Sequence, residues 1–487
     1  MKGFWIGGIL CAVLFATLFS IRLELFDVFN KNPQLKSTQP ITSITERDVW
    51  MNIFQRDRKI GFSYSTLRKM QNGYWLQDTV FIRINTLGMA QNLRLLTKAR
   101  LLPDFSLSSF DFHMNSSLFW FHVNGFFSKN YLKGQLETAS EKKNFELNVK
   151  RPIYLFSTLV EAALASDLQP ADQTRLFIFD PASMEPVPVE IKLAGTEEIY
   201  VMGQKKLARK VNYSFKGFTQ TAWIGKNGEI LRESGFLGLR LERTTRAEAL
   251  DSPRIETSED LTKLASVPTN RVIHNPGQLQ MLSVRIDGIP MEGFFLDGGR
   301  QVLDDNMLTV TKESLEKPRF KEPLPADRGL QFLKPSALIQ SDHAKIRALA
   351  ASIVNPTDRP VEKAKKLLSW VYRNIQKRPV LSIPDALSTL KHKMGDCNEH
   401  AVLLAALSRA AGIPAKIEVG LTYLNKRFYY HAWNLLYTGQ WVTADAAMGQ
   451  IPADVTHLRF FSGNDPSFLD LVGMIDRVKI TVVGMSG

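Results

Sequence analysis

Cys397 stands in GDCNEH (395–400). It is the only cysteine outside an uncharged N-terminal run that holds Cys11. A thiol does nucleophilic work as its thiolate, which needs a base nearby and a group to orient that base. Two later segments supply those types, His431 in FYYHAWNLLY and Asp445 in QWVTADAAM. Brought together, the three could perform acyl transfer. The sulfur attacks a carbonyl, the imidazole takes the thiol proton and returns it to the leaving group, and the carboxylate holds the imidazolium.

The surrounding residues must place these groups. After GDCNEH the chain reads AVLLAALSRAAGIPAK, apolar almost all round, which predicts a buried helix. Asp396 and Glu399, three apart, predict a capping box, and Gly412 and Pro414 predict the stop. Cys397 is then the first helical residue, where unpaired N–H groups and the helix dipole favour a thiolate and could hold an oxyanion. His431 and Asp445 lie on two predicted strands joined near Tyr437-Thr438-Gly439. With Gly439 left-handed in a three-residue loop, Leu436 pairs with Gln440, Leu435 with Trp441, Trp433 with Thr443 and His431 with Asp445. Directly opposite residues share a face with Cβ atoms about 4.5–5.5 Å apart, so Asp445 could accept from the imidazole Nδ1–H. A one-residue slip would part them.

Each residue also has a plainer use. Cysteine in a buried helix is commonly a small apolar filler, a histidine on an aromatic strand can be a core group, and Asp445 can end a strand. His400 is an alternative base or a partner for Asp396. A metal set of His392, Cys397 and His400 lacks a zinc-type spacing. No metal or cofactor is expected.

The segments GDCNEHAVLLAALSRAAGIPAKIEVGL and YYHAWNLLYTGQWVTADAAMGQIPADVTH resemble the transglutaminase-like superfamily. They carry its G-x-C at a helix start, R-A-x-G-I-P-A, H-A-W and W-x-x-x-D, in that order, within roughly 335–460. The resemblance implies a papain-like α+β fold with Cys397 as nucleophile, His431 as base and Asp445 as its orienting acid. It assigns no residue here to the family's second oxyanion donor. Relatives of this kind in bacteria are often exported or membrane-anchored.

The remainder of the 487 residues divides by pattern. Gly3 to Ile21 carries no charge and as a helix would span about 28 Å, close to the hydrocarbon thickness. With no clear cleavage site, 1–22 is expected as an uncleaved signal anchor rather than a cleaved signal peptide, and 23–44 as a linker. The bulk of the chain would be exported, periplasmic if the source is bacterial, on a single-pass inner-membrane tether. Residues 45–250 read as an antiparallel β domain: TVFIRINTL alternates, and FSTLVEAALAS is its clear helix. The aromatic run SLFWFHVNGFF (117–127) would build the sheet core or, less simply, line an apolar pocket. Residues 251–334 are expected as linker and a small β segment, and 335–487 as the transglutaminase-like domain. The formal charge of +13 comes from 61 basic and 48 acidic residues, spread out and without a nucleic-acid module, so nucleic acid is not an expected partner. The expected partners are the membrane and a protein or peptide substrate. The expected function is a thiol enzyme acting on amide bonds, more a protease or amidase than a crosslinker. The rival is an envelope binding or assembly module that keeps the fold without turnover.

Overall fold

A computed structural model describes residues 46–487 apart from 117–118, 139–141, 166–172, 181–184, 216–217, 227, 236, 317–329, 381–383, 465–470 and 472–473. The expected anchor and linker, 1–44, lie outside the described residues. No described helix is long and apolar enough to cross a membrane. The chain forms two compact units that meet in sequence at Asp260 and Leu261.

The first unit is one antiparallel sheet of fourteen strands. They are β1 (Arg47–Gln55), β2 (Arg58–Met70), β3 (Gly73–Thr86), β4 (Met89–Leu101), β5 (Leu107–Ser116), β6 (Trp120–Ser128), β7 (Tyr131–Thr138), β8 (Lys142–Asn148), β9 (Gln173–Asp180), β10 (Glu185–Val201), β11 (Gln204–Phe215), β12 (Phe218–Ile224), β13 (Ile230–Ser234) and β14 (Leu239–Thr244). β1 to β8 run as one meander and β9 to β14 as another, joined where β1 pairs with β14. Period-two alternation explains the sheet: in β4 the odd residues Leu93, Leu95, Ala99 and Leu101 are buried while Asn92, Arg94, Lys98 and Arg100 face out. Helix α1 (Leu159–Ala165) follows a 3-10 turn at Phe156–Thr158, where FSTLVEAALAS predicts it. The aromatic run gives Phe121 and Val123 to the core and leaves Trp120 and Phe126 exposed, the two outcomes that alternation on one strand produces.

The second unit holds two small sheets, a two-stranded pair (376–377 with 394–395) and a group of helices. Four strands, β16 (Met281–Asp287), β17 (Gln301–Asp304), β18 (Met307–Thr311) and β23 (Lys479–Ser486), run in the order β17-β18-β16-β23. The other sheet runs β15 (Val267–Pro268), β20 (Arg427–Tyr437), β19 (Ala415–Leu424) and β22 (Leu458–Gly463), with β21 (Trp441–Ala444) also paired to β20. The longer helices are α2 (Ala344–Ile353), α3 (Pro360–Asn374), α4 (Ala386–His392) and α5 (Cys397–Ala410). α5 packs against the other three and against β19 and β20, as its all-round apolar surface requires. Gly412 takes φ +80° just past its end, and Ile413 N–H returns to Ser408 O at 2.8 Å, so the helix stops where glycine allows it.

Candidate active site

Cys397 opens α5 behind the expected cap. Asn398 N–H donates to Asp396 Oδ1 (2.8 Å) and Asp396 N–H donates to Glu399 Oε2 (2.9 Å), which closes the capping box. The sulfur is 0% exposed, and the backbone N–H of Ala432, the residue after His431, donates to it. One turn along the helix, Asn434 Nδ2 donates to Ala401 O at 2.9 Å. That bond ties β20 to α5 and fixes the thiol against the strand that carries the histidine.

The electrostatics of the thiol differ from expectation. Burial, and next the Asp396 carboxylate, push the Cys397 thiol well above its ordinary range. A helix terminus contributes about 0.3–1 kcal/mol, whereas removing a full charge from water costs several. Desolvation therefore wins over the dipole at the resting sulfur. Iodoacetamide is expected to label Cys397 in the native protein more slowly than a free thiol near about pH 6–7, and faster once the fold is loosened with denaturant. Peptide mapping by mass spectrometry measures both rates, and fast native labelling would contradict this assignment.

The β20–β21 hairpin closes one residue further along than expected, so each β20 residue pairs two residues later on β21. Tyr437 pairs with Trp441, Leu436 with Val442, Leu435 with Thr443 and Asn434 with Ala444. Residues 438–440 form the loop, with Gly439 at φ +103° in its middle rather than at its end. The Tyr437 and Trp441 rings meet edge-to-face at 5.4 Å and close the loop. A slip of two keeps every side chain on its face. Asp445 is thus diagonal to His431 instead of opposite it, and still reaches it, Oδ2 to Nε2 at 2.7 Å. The bonded nitrogen is Nε2, not the expected Nδ1, because the carboxylate approaches from further along the strand. Both residues are 1% exposed or less.

His457 was not among the expected residues. Its Nε2 lies 3.0 Å from the same Asp445 Oδ2, and its Nδ1 lies 3.4 Å from Asp454 Oδ1. Asp454 also receives the Thr456 N–H (2.8 Å) and hydroxyl (2.6 Å), so the turn DVTH holds the ring. Burial alone would favour a neutral ring. The two carboxylates outweigh it and raise His457 to about 9, which makes it an imidazolium at neutral pH. Burial also works against the charge on Asp445, yet His431 and His457 hold it well below the usual carboxylate range. The other Asp445 oxygen, Oδ1, accepts from Ala447 N–H (2.8 Å) and Met448 N–H (2.9 Å), so the carboxylate cannot rotate freely. The sequence signal for His457 was an Asp and a His three apart, twelve residues beyond Asp445, inside the segment that carries the resemblance.

A second support comes from residues 300 and 313, within the stretch expected as linker and small β segment. Arg300, just before β17, donates to Glu313 Oε2 (2.9 Å) and to the carbonyls of Ala453 (2.7 Å), Asp454 (3.1 Å) and His457 (3.2 Å). Glu313, just after β18, accepts from Thr443 N–H (2.9 Å) and hydroxyl (2.6 Å). The pair is buried and clamps both chain segments that meet at Asp445.

His400 does not stand free as a base. Its Nδ1 bonds the Asp396 carbonyl, and burial lowers it to about 4. His392 bonds Ser388 O through Nδ1 at 2.9 Å. Among the described residues, the groupings with metal-ligand geometry are Asp111, His113 and His122, and His431, Asp445 and His457. The expected His392, Cys397 and His400 set is not one of them. In the second grouping both imidazoles already bond one carboxylate oxygen.

Residues 347–446 match the transglutaminase-like superfamily. The chain carries a domain of this type near its C-terminus, about a fifth of its length, within a mostly antiparallel α+β structure. Among solved structures, a protein of Cytophaga hutchinsonii provisionally named a cysteine protease is 17% identical over 42% of this chain and 86% of its own, with a TM-score of 0.26. A β-barrel-like protein of Brucella abortus, from a domain family of unknown function, is 11% identical over 42% and 98%, with a TM-score of 0.33. A protein of Parabacteroides distasonis provisionally named a protease is 11% identical over 67% and 64%, with a TM-score of 0.21. No curated protein matches the chain significantly.

Proposed function

We propose that the transglutaminase-like domain is a thiol enzyme acting on amide bonds through a thioester, more a protease or amidase than a crosslinker. The observation that carries this is the buried His431–Asp445 hydrogen bond beside a capped helix that begins at Cys397. Cys397 is the nucleophile, His431 the base and Asp445 its orienting acid. With Nε2 held by Asp445, His431 keeps Nδ1 for the thiol proton. As the sulfur adds to the substrate carbonyl, that proton passes to Nδ1. It then leaves with the amine as the C–N bond breaks. Water, deprotonated by the same nitrogen, adds to the thioester, and the thiol leaves with its proton restored. A thiol that rests neutral suits this order, because charge forms only as the acyl group arrives. We place the domain outside the cytoplasm on an N-terminal anchor, acting on protein or peptide substrates.

The test is acyl trapping. Incubation with p-nitrophenyl esters of short N-acyl peptides is expected to add one acyl mass to Cys397, none in Cys397→Ala, and a longer-lived adduct in His431→Ala. An acyl group on another residue, or on none, sinks the reading. The complete burial of the sulfur favours a second reading, a binding or assembly module without turnover. Full biological function in Cys397→Ala would support that one.

A further inference from the structure

The fourteen-stranded unit contains a cavity of about 170 Å³. Its origin can be read from the strand register. One cross-strand row on the inner face runs Val49, Ser65, Asp78, Thr97 across β1 to β4, and the next runs Met51, Ser63, Val80, Leu95. Small hydroxyl residues and one carboxylate stand where strand periodicity calls for core side chains, and the space they leave is unfilled. Leu239 and Leu241 of β14 and Ile178 of β9 supply the apolar part of the wall, which Arg47 and Gln220 also line.

Into this wall project Asp78 and Glu233, both only partly covered. Behind them Glu161 of α1 is 1% exposed and pairs with Arg47. Three carboxylates thus answer to one guanidinium. The hydroxyls of Ser65 and Ser157 donate to Asp78, but its Oδ1 is buried without a partner. Tyr213 is 1% exposed, its hydroxyl feels Glu233 and Glu161, and that hydroxyl also has no hydrogen-bond partner. Buried polar groups are ordinarily paired. An orphaned acceptor in the wall of a partly apolar cavity, as Asp78 Oδ1 is here, is what a ligand-binding pocket presents when the missing polar contact is supplied by the ligand.

We infer that this cavity binds a small amphipathic amine, its ammonium group between Asp78 and Glu233 and its hydrocarbon body against Val80, Leu95 and Leu241. An ammonium brings three donors and a positive charge to a site with surplus acceptors and surplus negative charge. A fatty acid would add a further carboxylate, and a neutral alcohol leaves the charges unpaired. Burial, followed by the charges of Glu161 and Asp78, raises Glu233 to about 7, the strain that a bound cation would relieve.

Calorimetric titration of the full chain with hexylammonium, hexanol and hexanoate tests this. Hexylammonium is expected to bind at least about tenfold more tightly than hexanol, a difference of about 1.4 kcal/mol, and hexanoate not measurably. Glu233→Gln is expected to weaken hexylammonium about tenfold. Ser65→Leu, which fills the cavity with hydrocarbon, is expected to abolish binding while the thermal midpoint of the free protein holds or rises. Equal binding of hexanol and hexylammonium, unchanged binding in both variants, or no binding by any of the three overturns the inference.

Discussion

Asp445→Asn is expected to slow acylation of Cys397 by about 10⁴-fold, the size of effect seen when an orienting acid becomes its amide. Two backbone N–H groups hold Oδ1, so the asparagine carbonyl would settle there. Its NH₂ would then occupy the place of Oδ2 and point a donor at two histidine Nε2 atoms. His431 would have to put its proton on Nδ1, the nitrogen that must receive one. His457 would lose the carboxylate that helps keep it charged. The rate of p-nitrophenolate release measures the first effect. The second has its own signature in pH. The ordinary value of His457 is 6.5 and in the fold it is about 9. Its charged form therefore contributes stability that is fully present below about 6.5 and is lost as pH rises through about 9. In Asp445→Asn that alkaline loss should shrink. A variant that slowed acylation less than about tenfold would remove Asp445 from the catalytic group.

Arg300→Ala is expected to destabilise the second unit by about 3–5 kcal/mol, the cost of breaking one partner out of a buried ion pair. The substitution leaves Glu313 without its cation and three buried carbonyls without their donor. Because those carbonyls belong to the segment 453–457, amide hydrogen exchange should rise most around β21 and the DVTH turn, by about two orders of magnitude or more. Arg285→Ala removes an exposed pair with Asp287 and should shift exchange little, since surface pairs contribute about 0–1 kcal/mol. Equal effects at the two arginines would mean that the clamp is not holding the site.

The local parts of the site were legible in the sequence. Asp396 and Glu399 announce the helix start because a cap is made by residues three apart. His431 and Asp445 were placed on one face because strand side chains alternate with period two, and an error of two in register does not change the face. The register itself is not legible in the sequence, because it depends on ring packing between Tyr437 and Trp441, which glycine position alone does not encode. Arg300 and Glu313 were illegible for a different reason. They meet residues more than a hundred positions away, and no local pattern records that meeting. The neutral resting thiol was also hidden, since the helix dipole can be read from a cap while desolvation depends on what covers the sulfur.

The sheet that carries Arg300 and Glu313 is bordered by β23. Residues 281–287 therefore wait for residues 479–486 before that sheet is complete. Pairings of such sequence separation form late, because a large loop must close before they gain anything. During synthesis, Cys397, His431 and Asp445 emerge before the strand that finishes their support. Order of emergence thus acts as a delay on assembly. The thiol is part of the chain for some time before it belongs to a finished site.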